Sequence, residues 1–385
     1  MCKYVRRLGA LCLAALLLAG CGSEAVRPPP AELKPFTAVD RLDEVWSADI
    51  GSDIGKLQLR LEPVVVEDRI LAVSRDGELS VLEVASGRAL WNLDLDEPLL
   101  AGVSTDGVNA FVTTRAGELI AISLADQKVA WRTSLPSEVV TRPGVGGGRV
   151  YVYVINGNVM AFDARTGQRV WQQQVTEPNL TLRGTAPPVW SAGRVYVATS
   201  SGRVQALDAD TGAVIWSTPV AEPTGRTLLD RLVDVDGGLS LHRGVLTALG
   251  YQGNLIQIEM ASGRKLWNTP ASGYTTPAVT DDLLVITEDN GDVRAWNNRT
   301  GELLWHTSEL AWRDLSAPVI WRGRVVVGDF EGYLHVLDAG NGQLRGRLKV
   351  DSAAVRVRPQ MVEEDLLVQT QGGDLIRITL ENDDA

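Results

Sequence analysis

A tryptophan returns through this chain about every 43 residues, and that spacing limits the fold more than any other feature. Asp163-Ala-Arg-Thr-Gly167-Gln-Arg-Val-Trp171 recurs as Asp208-Ala-Asp-Thr-Gly212-Ala-Val-Ile-Trp216 and again as Asn297-Asn-Arg-Thr-Gly301-Glu-Leu-Leu-Trp305. Weaker copies end at Trp91, Trp131 and Trp267, Trp46 is an orphan first copy, and Gly346 stands where an eighth Trp is due. The intervals run 45, 40, 40, 45, 51, 38 and 41. Periods of about 40–45 residues are those of four-stranded propeller blades, each of which needs its neighbours to bury its faces. The aromatic composition fits: 11 Trp against 7 Tyr and 4 Phe means that the motif, not a general core, consumes the indoles.

Within one unit, Pro187–Trp190 reads as an inner strand, Arg194–Thr199 as the second, Arg203–Asp208 as the third and Val214–Val220, with Trp216, as the outer fourth. Gly193, Gly202 and Gly212 mark the joints, where tight hairpins need a positive φ. Asp208 and Thr211 are suited to bonding the backbone of the last turn. The count is eight blades. The C-terminus supplies three strands, near Val357–Val362, Leu366–Gln369 and Leu375–Leu380, and the N-terminus supplies a lone fourth around Val45–Ala48. Joining them gives an all-β, eight-bladed β-propeller over residues 41–385, its ring closed by N- and C-terminal strands with no open edge.

Ahead of the repeat, Lys3, Arg6 and Arg7 precede an apolar run from Leu8 to Ala19. Such a run spans about 20 Å as a helix, short of the roughly 30 Å hydrocarbon core, so residues 1–20 read as a signal peptide. It ends in Leu18-Ala19-Gly20-Cys21, which resembles the bacterial lipoprotein box, where the Cys is lipidated and becomes the first residue. Removal of the leader takes Cys2 and Cys12 with it, leaving Cys21 alone and no disulfide within the mature chain. Two or three acyl chains on Cys21 anchor stably where one does not. Gly22 at the next position, in place of Asp, resembles lipoproteins sorted to the outer membrane. Residues 22–39, with Pro28-Pro29-Pro30, read as a tether; eighteen extended residues reach at most about 60 Å.

Charge and chemistry narrow the function. Without Lys3, Arg6 and Arg7 the net charge moves from −11 to −14, which excludes nucleic acid and anionic bilayers as natural partners and suits a partner with basic patches. The Ala-x-Asp-x-x-Thr-Gly-x-x-x-Trp pattern at 161–171 and 206–216 is similar to the docking repeat of pyrroloquinoline-quinone (PQQ) alcohol dehydrogenases, which are also eight-bladed. That motif is blade scaffolding and carries no catalysis by itself. This chain is shorter and lacks a vicinal Cys pair, a haem motif and an identifiable calcium set beside a catalytic Asp. His242, His306 and His335 fall in separate blades, so no metal site is expected. Asp234-Val-Asp236-Gly-Gly lacks the later ligands of a calcium loop. Gly144-Val-Gly146-Gly147-Gly148 precedes a strand, Arg149–Val154, and reads as a hairpin turn. No cofactor is expected.

Irregularity in the repeat is the better guide, because insertions collect in loops on a binding face. The intervals after Trp171 and Trp216 are long, and both extras fall between an outer strand and the next inner strand, so they belong side by side on one face. One is Glu177-Pro-Asn-Leu180-Thr-Leu182-Arg183-Gly184; the other runs from Gly225 through Asp230-Arg231-Leu-Val-Asp234-Val-Asp236 to Gly237. A purely structural alternative has the leucines capping their own blade and Arg183 paired with a nearby Asp.

The lipoprotein box, the eight blades, Leu180-Thr-Leu182-Arg183-Gly184 and Asp230-Arg231-Leu-Val-Asp234-Val-Asp236 together resemble the BamB family, lipoproteins of the outer-membrane β-barrel assembly (BAM) machinery. Gly328-Asp329-Phe-Glu331-Gly332-Tyr333-Leu-His335 and Lys349-Val-Asp351-Ser352 extend the resemblance, which covers nearly the whole chain. It implies a non-enzymatic scaffold, lipid-anchored on the periplasmic face of the outer membrane. Its partners would be the periplasmic POTRA domains of BamA and the rest of the BAM complex, with nascent outer-membrane proteins a further candidate. By motif it nominates Leu180, Leu182, Arg183, Asp234 and Asp236 as partner-binding. Rival readings are a PQQ-dependent quinoprotein dehydrogenase or small-molecule-binding propeller using the central channel, and a generic envelope-tethering lipoprotein. The departures from the pattern, Gly346 for Trp and Gln127 for a turn Gly, bear on blade packing.

Overall fold

Middle strands here are apolar along their whole length while outer strands alternate, the pattern of sheets packed face to face around a ring. In the computed structural model, which describes residues 27–51, 60–175, 186–221, 235 and 237–381, Arg149–Val154 is buried at five of its six positions. Val150, Val152 and Val154 pack with Phe111 and Leu119 of the preceding blade. Tyr151 and Tyr153 point the other way, against Val195 and Val197 of the following one. Outer strands such as Lys128–Ser134 instead alternate exposed and half-buried residues.

Eight sheets result, each built on four antiparallel strands, and no helix is found among the described residues. Blades 1 to 7 span 64–94, 99–134, 144–174, 189–219, 240–271, 278–307 and 319–349. Blade 8 joins Gln360–Val362, Asp365–Gln369 and Asp374–Leu380 to Leu42–Asp49, which lies antiparallel on the last of them with Leu42 opposite Leu380 and Asp49 opposite Asp374. The ring therefore closes as the orphan strands require. In blade 4 the inner strand is Val189–Ser191, shifted from the expected Pro187–Trp190, because Pro187 and Pro188 carry no N–H for a ladder. The outer strand stops at Pro219. Gly147 and Gly148 form the expected hairpin turn, at φ 60° and 73°.

The repeat has a physical account. Asp208 Oδ1 accepts from the N–H groups of Asp210 and Thr211 and from the Thr211 hydroxyl, at 3.1, 2.9 and 2.8 Å. These bonds, the Thr211 hydroxyl foremost, hold the Asp208 carboxyl below its ordinary pKa. The turn then ends on Gly212 at φ 73°, and the indole of Trp171 from the preceding blade lies on that glycine, where a Cβ would come within 2.6 Å of the ring. Trp171 Nε1 donates to the Ala209 carbonyl at 2.9 Å. Trp131 on Gly167 and Trp216 on Gly263 repeat the arrangement, with Nε1 bonds of 3.0 Å to Ala164 and Met260. Each of these three Trp side chains thus fastens its blade to the next one's last turn.

Both sequence departures sit where this fastening fails. Gln127, at φ 55°, occupies the glycine position under Trp91, and a half-open surface groove of about 510 Å³ lies there among Arg69, Leu90, Trp91, Leu124, Ala125 and Gln127. At Gly346 a Cβ would meet the Asp40 carbonyl at 2.5 Å. Blade 8 has no last turn, since its third and fourth strands come from opposite ends of the chain. Residues 39 and 40 replace it: their N–H groups donate to the Arg345 carbonyl at 2.8 and 3.0 Å. The Asp40 carboxylate accepts from Arg324 and from Arg345 Nε, both at 2.6 Å. Burial alone would raise the Asp40 pKa; the two guanidiniums more than offset it and hold the carboxyl low.

The chain divides into two units, Met1–Pro30 and Ala31–Ala385. The expected tether is shortened accordingly. Ala31 N–H donates to the Ala311 carbonyl at 2.9 Å, and Leu33 packs against the core between blades 6 and 7, so residues from 31 on belong to the propeller.

Candidate partner-binding face

Connectivity decides which loops share a face. In every blade the turn from second to third strand and the connection from outer strand to next inner strand lie at the same end. Val175 N–H donates to the carbonyl of Gly157, in the second-to-third turn of blade 3, at 2.8 Å as the first long connection departs. Val220 and Ala221 likewise donate to Gly202 of blade 4, at 2.9 and 3.1 Å, as the second departs. Ala186, where the first returns, and Val235, late in the second, are fully buried in one cluster with Val220, Leu239 and Leu246. Neighbouring loops thus rise from a single core. The exit of the second is held close: a Cβ on Gly237 would meet the Thr275 carbonyl at 2.6 Å.

Leu180, Leu182, Arg183, Asp234 and Asp236 themselves, like Cys21, lie outside the described residues. The surface beside the first loop is neutral and polar. Gln172 Nε2 donates to Asn158 Oδ1 at 2.6 Å, Asn158 Nδ2 to Asn156 Oδ1 at 2.8 Å, and Gln174 Nε2 to the Asn156 carbonyl at 3.1 Å.

The motif at 328–335 builds a second constellation on the same face, at blade 7. Asp329 is fully buried and accepts from Arg313 Nε and His335 Nε2, both at 2.8 Å, and from the N–H groups of Glu331 and Tyr333. Arg313 also pairs with Glu331. Arg347 Nε donates to His335 Nδ1 at 3.3 Å, and since a guanidinium only donates, the imidazole is the neutral Nε2–H tautomer. Burial lowers the His335 pKa, the charges of Arg347 and Arg313 lower it further, and Asp329 opposes them without prevailing. Burial raises the Asp329 carboxyl, but His335, the Tyr333 N–H and Arg313 together hold it below its ordinary value. Sequence reading missed Arg313. The only signal was an arginine in a blade connection, with its acid sixteen residues on.

Inside the ring, Arg60–Leu61 adds a parallel strand to the channel side of Leu99–Thr105 in blade 2. Gln360 of blade 8 donates to the Pro63 carbonyl at 2.7 Å, and Glu62 lies 3.8 Å from Arg142 and faces the charge of Arg358. The channel wall there carries the chain's own segment. Among the described residues no group of three His, Cys, Asp or Glu side chains is placed to hold a metal. His242 pairs with Asp281 at 2.6 Å, apart from His335.

Comparison with known proteins settles the family. The family profile described as outer membrane protein assembly factor BamB matches residues 75–307 and 289–384. The chain belongs to the BamB family. The BamB of Pseudomonas aeruginosa is 41% identical over 372 residues, covering 96% of this chain and 98% of that protein. The BamB of Marinobacter adhaerens is 44% identical over 369 residues, covering 96% and 94%. Among solved structures, BamB from Moraxella catarrhalis superposes with a TM-score of 0.80 at 28% identity, over 88% of this chain and all of that one. Quinohemoprotein alcohol dehydrogenase from Comamonas testosteroni reaches 0.70 at 14% identity, over 88% of this chain and 76% of that one, a likeness of fold alone. The similarity of the Trp-docking repeat to the quinoproteins is thus a similarity of blades.

Proposed function

We propose that this chain is a non-enzymatic outer membrane protein assembly factor, anchored through a lipidated Cys21 after loss of residues 1–20, on the periplasmic face of the outer membrane. It docks on the POTRA domains of BamA, within the BAM complex, through the two long connections of blades 3 to 5. Leu180 and Leu182 exclude water around Arg183, whose planar guanidinium bonds the partner, and Asp234 and Asp236 orient it or bond the partner in turn. The observation that carries this reading is the pair of long neighbouring loops rooted in one buried cluster, on a chain of the BamB family. The chain's own segment at 60–63, against the channel wall, speaks against the channel as a cofactor site.

Co-purification from membranes tests it. Arg183→Glu, or Leu180 and Leu182 both to Ala, should abolish capture of BamA while circular dichroism stays that of the intact propeller; central anchors of this kind typically contribute about 2 kcal/mol or more. Undiminished BamA recovery with Arg183→Glu would move the interface elsewhere, and joint loss of fold and binding would favour loops that only cap their blades.

A further inference from the structure

Residues 31–40 run along the outer edge of blade 7, held at every stage by side chains of that blade or its entry. Near the ring closure, Asp40 is gripped by Arg345 and Arg324. Further along the same outer strand, Leu344–Lys349, Arg347 stacks its guanidinium 5.0 Å from the centre of the Phe36 ring and donates to the Lys34 carbonyl at 3.3 Å. Leu33 enters the core that holds Leu310, Leu315 and Val327. At the far end Arg313 Nη1 donates to the Ala31 carbonyl at 2.9 Å while Ala31 N–H reaches the Ala311 carbonyl, a two-sided grip on one residue. Arg313 is itself fixed by the buried Asp329, which His335 also bonds. Two residues apart on one strand, Arg345 and Arg347 meet successive parts of the segment, as a strand edge allows.

We infer that residues 31–40 are a strap that fastens the N-terminal segment to blade 7, so that the chain leaves the fold at Ala31, on the face of the long connections but two to three blades round the ring from them. The arginines at 313, 345 and 347 therefore serve a purpose that blade packing alone does not require. Resting on the anchoring reading above, the strap leaves only residues 22–30 in sequence between the lipid and the fold. Nine extended residues reach about 30 Å, half of what an unstrapped tether allows. The rim of blades 6 and 7 is thereby kept toward the bilayer, and the loops of blades 3 to 5 are presented away from it.

The test uses the full-length protein in nanodiscs. Hydrogen exchange of the Ala31, Val39 and Asp40 amides should be slowed at least tenfold against an unstructured chain. Leu33→Asp with Phe36→Ser, which touches only the strap, should remove the protection at Ala31 and leave that of Leu42–Asp49 unchanged. A fluorophore on Ser308→Cys, beside the exit, should be quenched more by headgroup-bound quencher than one on Gln174→Cys at blade 3, and the strap variant should at least halve that difference. Unprotected amides in the unaltered chain would overturn the strap. Equal quenching at the two positions would overturn the orientation. An unacylated Cys21 by mass spectrometry would overturn the anchoring reading and the orientation with it, leaving exchange to decide the strap by itself.

Discussion

Blades 3, 4 and 5 are joined by one part used repeatedly, whereas blades 7 and 8 are joined by a different chemistry. In the first sector an indole lies on a left-handed glycine and donates to a carbonyl three residues before it, as at Trp171, Gly212 and Ala209. In the second, Gly346 replaces the indole, residues 39 and 40 replace the turn, and two arginines grip one carboxylate. A continuous chain can make the tight Asp-x-x-Thr-Gly turn that receives a Trp. A blade assembled from two chain ends cannot, so the closing sector substitutes ion pairs half shielded from water. The regular joint docks an apolar ring and leaves only its turn to a carboxylate, Asp208, whereas the closing joint docks through the charges themselves.

The largest difference should appear on removing the closing strand. Deletion through Asp49 takes away Trp46, buried with Ile70 and Leu82 of blade 1, together with the pairing to Asp374–Leu380. Loss of one buried Trp costs about 3–5 kcal/mol, much of a typical stability of 5–15 kcal/mol, and the lost strand adds to it. The deletion should therefore melt well below Trp171→Ala, in which the ring stays closed; melting by circular dichroism within a few degrees of the intact protein would break the comparison. Next in size is Gly212→Ala. A left-handed alanine costs about 1–2 kcal/mol and the clash with Trp171 about 1–3 more, so roughly 2–5 kcal/mol is expected in denaturant unfolding.

How much of this was legible depended on whether the physics was local. The Asp-x-x-Thr-Gly-x-x-x-Trp spacing carries its own turn and its own docking distance, so blade number and the closing strands could be read directly. The place of the two long loops followed from interval lengths alone, although Leu180 to Arg183, Asp234 and Asp236 lie outside the described residues. Residues 31–40 carry no periodicity, and their partners Arg313, Arg345 and Arg347 stand some 280 to 313 residues away. No pattern in a Pro-rich segment announces a grip that is supplied from the other end of the chain. Gly346 was visible as a departure, but only the Asp40 carbonyl above it explains the missing indole.

Acid should separate the two sectors more gently. The folded His335 has a pKa below its ordinary 6.5, so the unfolded chain binds the proton more readily. Stability from this group is intact above about 6.5 and declines as pH falls below it, by at most about 1.4 kcal/mol per pH unit until the folded imidazole protonates too. Asp329, also held low, adds a loss in the same direction only below its ordinary 3.8. Denaturant unfolding at pH 7 and pH 5 should show the decline, and His335→Gln should flatten it. A slope unchanged by that substitution would place the sensitivity in other groups.

The smallest effect concerns a joint where the regular part is present but imperfect. Gln127 holds φ 55° in a turn that elsewhere ends in glycine, and Trp91 above it borders the surface groove of about 510 Å³. Gln127→Gly removes the left-handed strain and the Cβ that keeps the indole from settling as Trp171 does. Against that gain, glycine loosens the unfolded chain by about 0.4–1 kcal/mol. A left-handed backbone costs about 1–2 kcal/mol, as at Gly212, so the balance is a small stabilisation of roughly 0–1.6 kcal/mol, with quenching of Trp91 fluorescence altered as its ring moves onto the turn. Destabilisation by Gln127→Gly would mean that the blade 1–2 joint relies on the glutamine, and that the indole-on-glycine fastening is not the common part from which the ring is built.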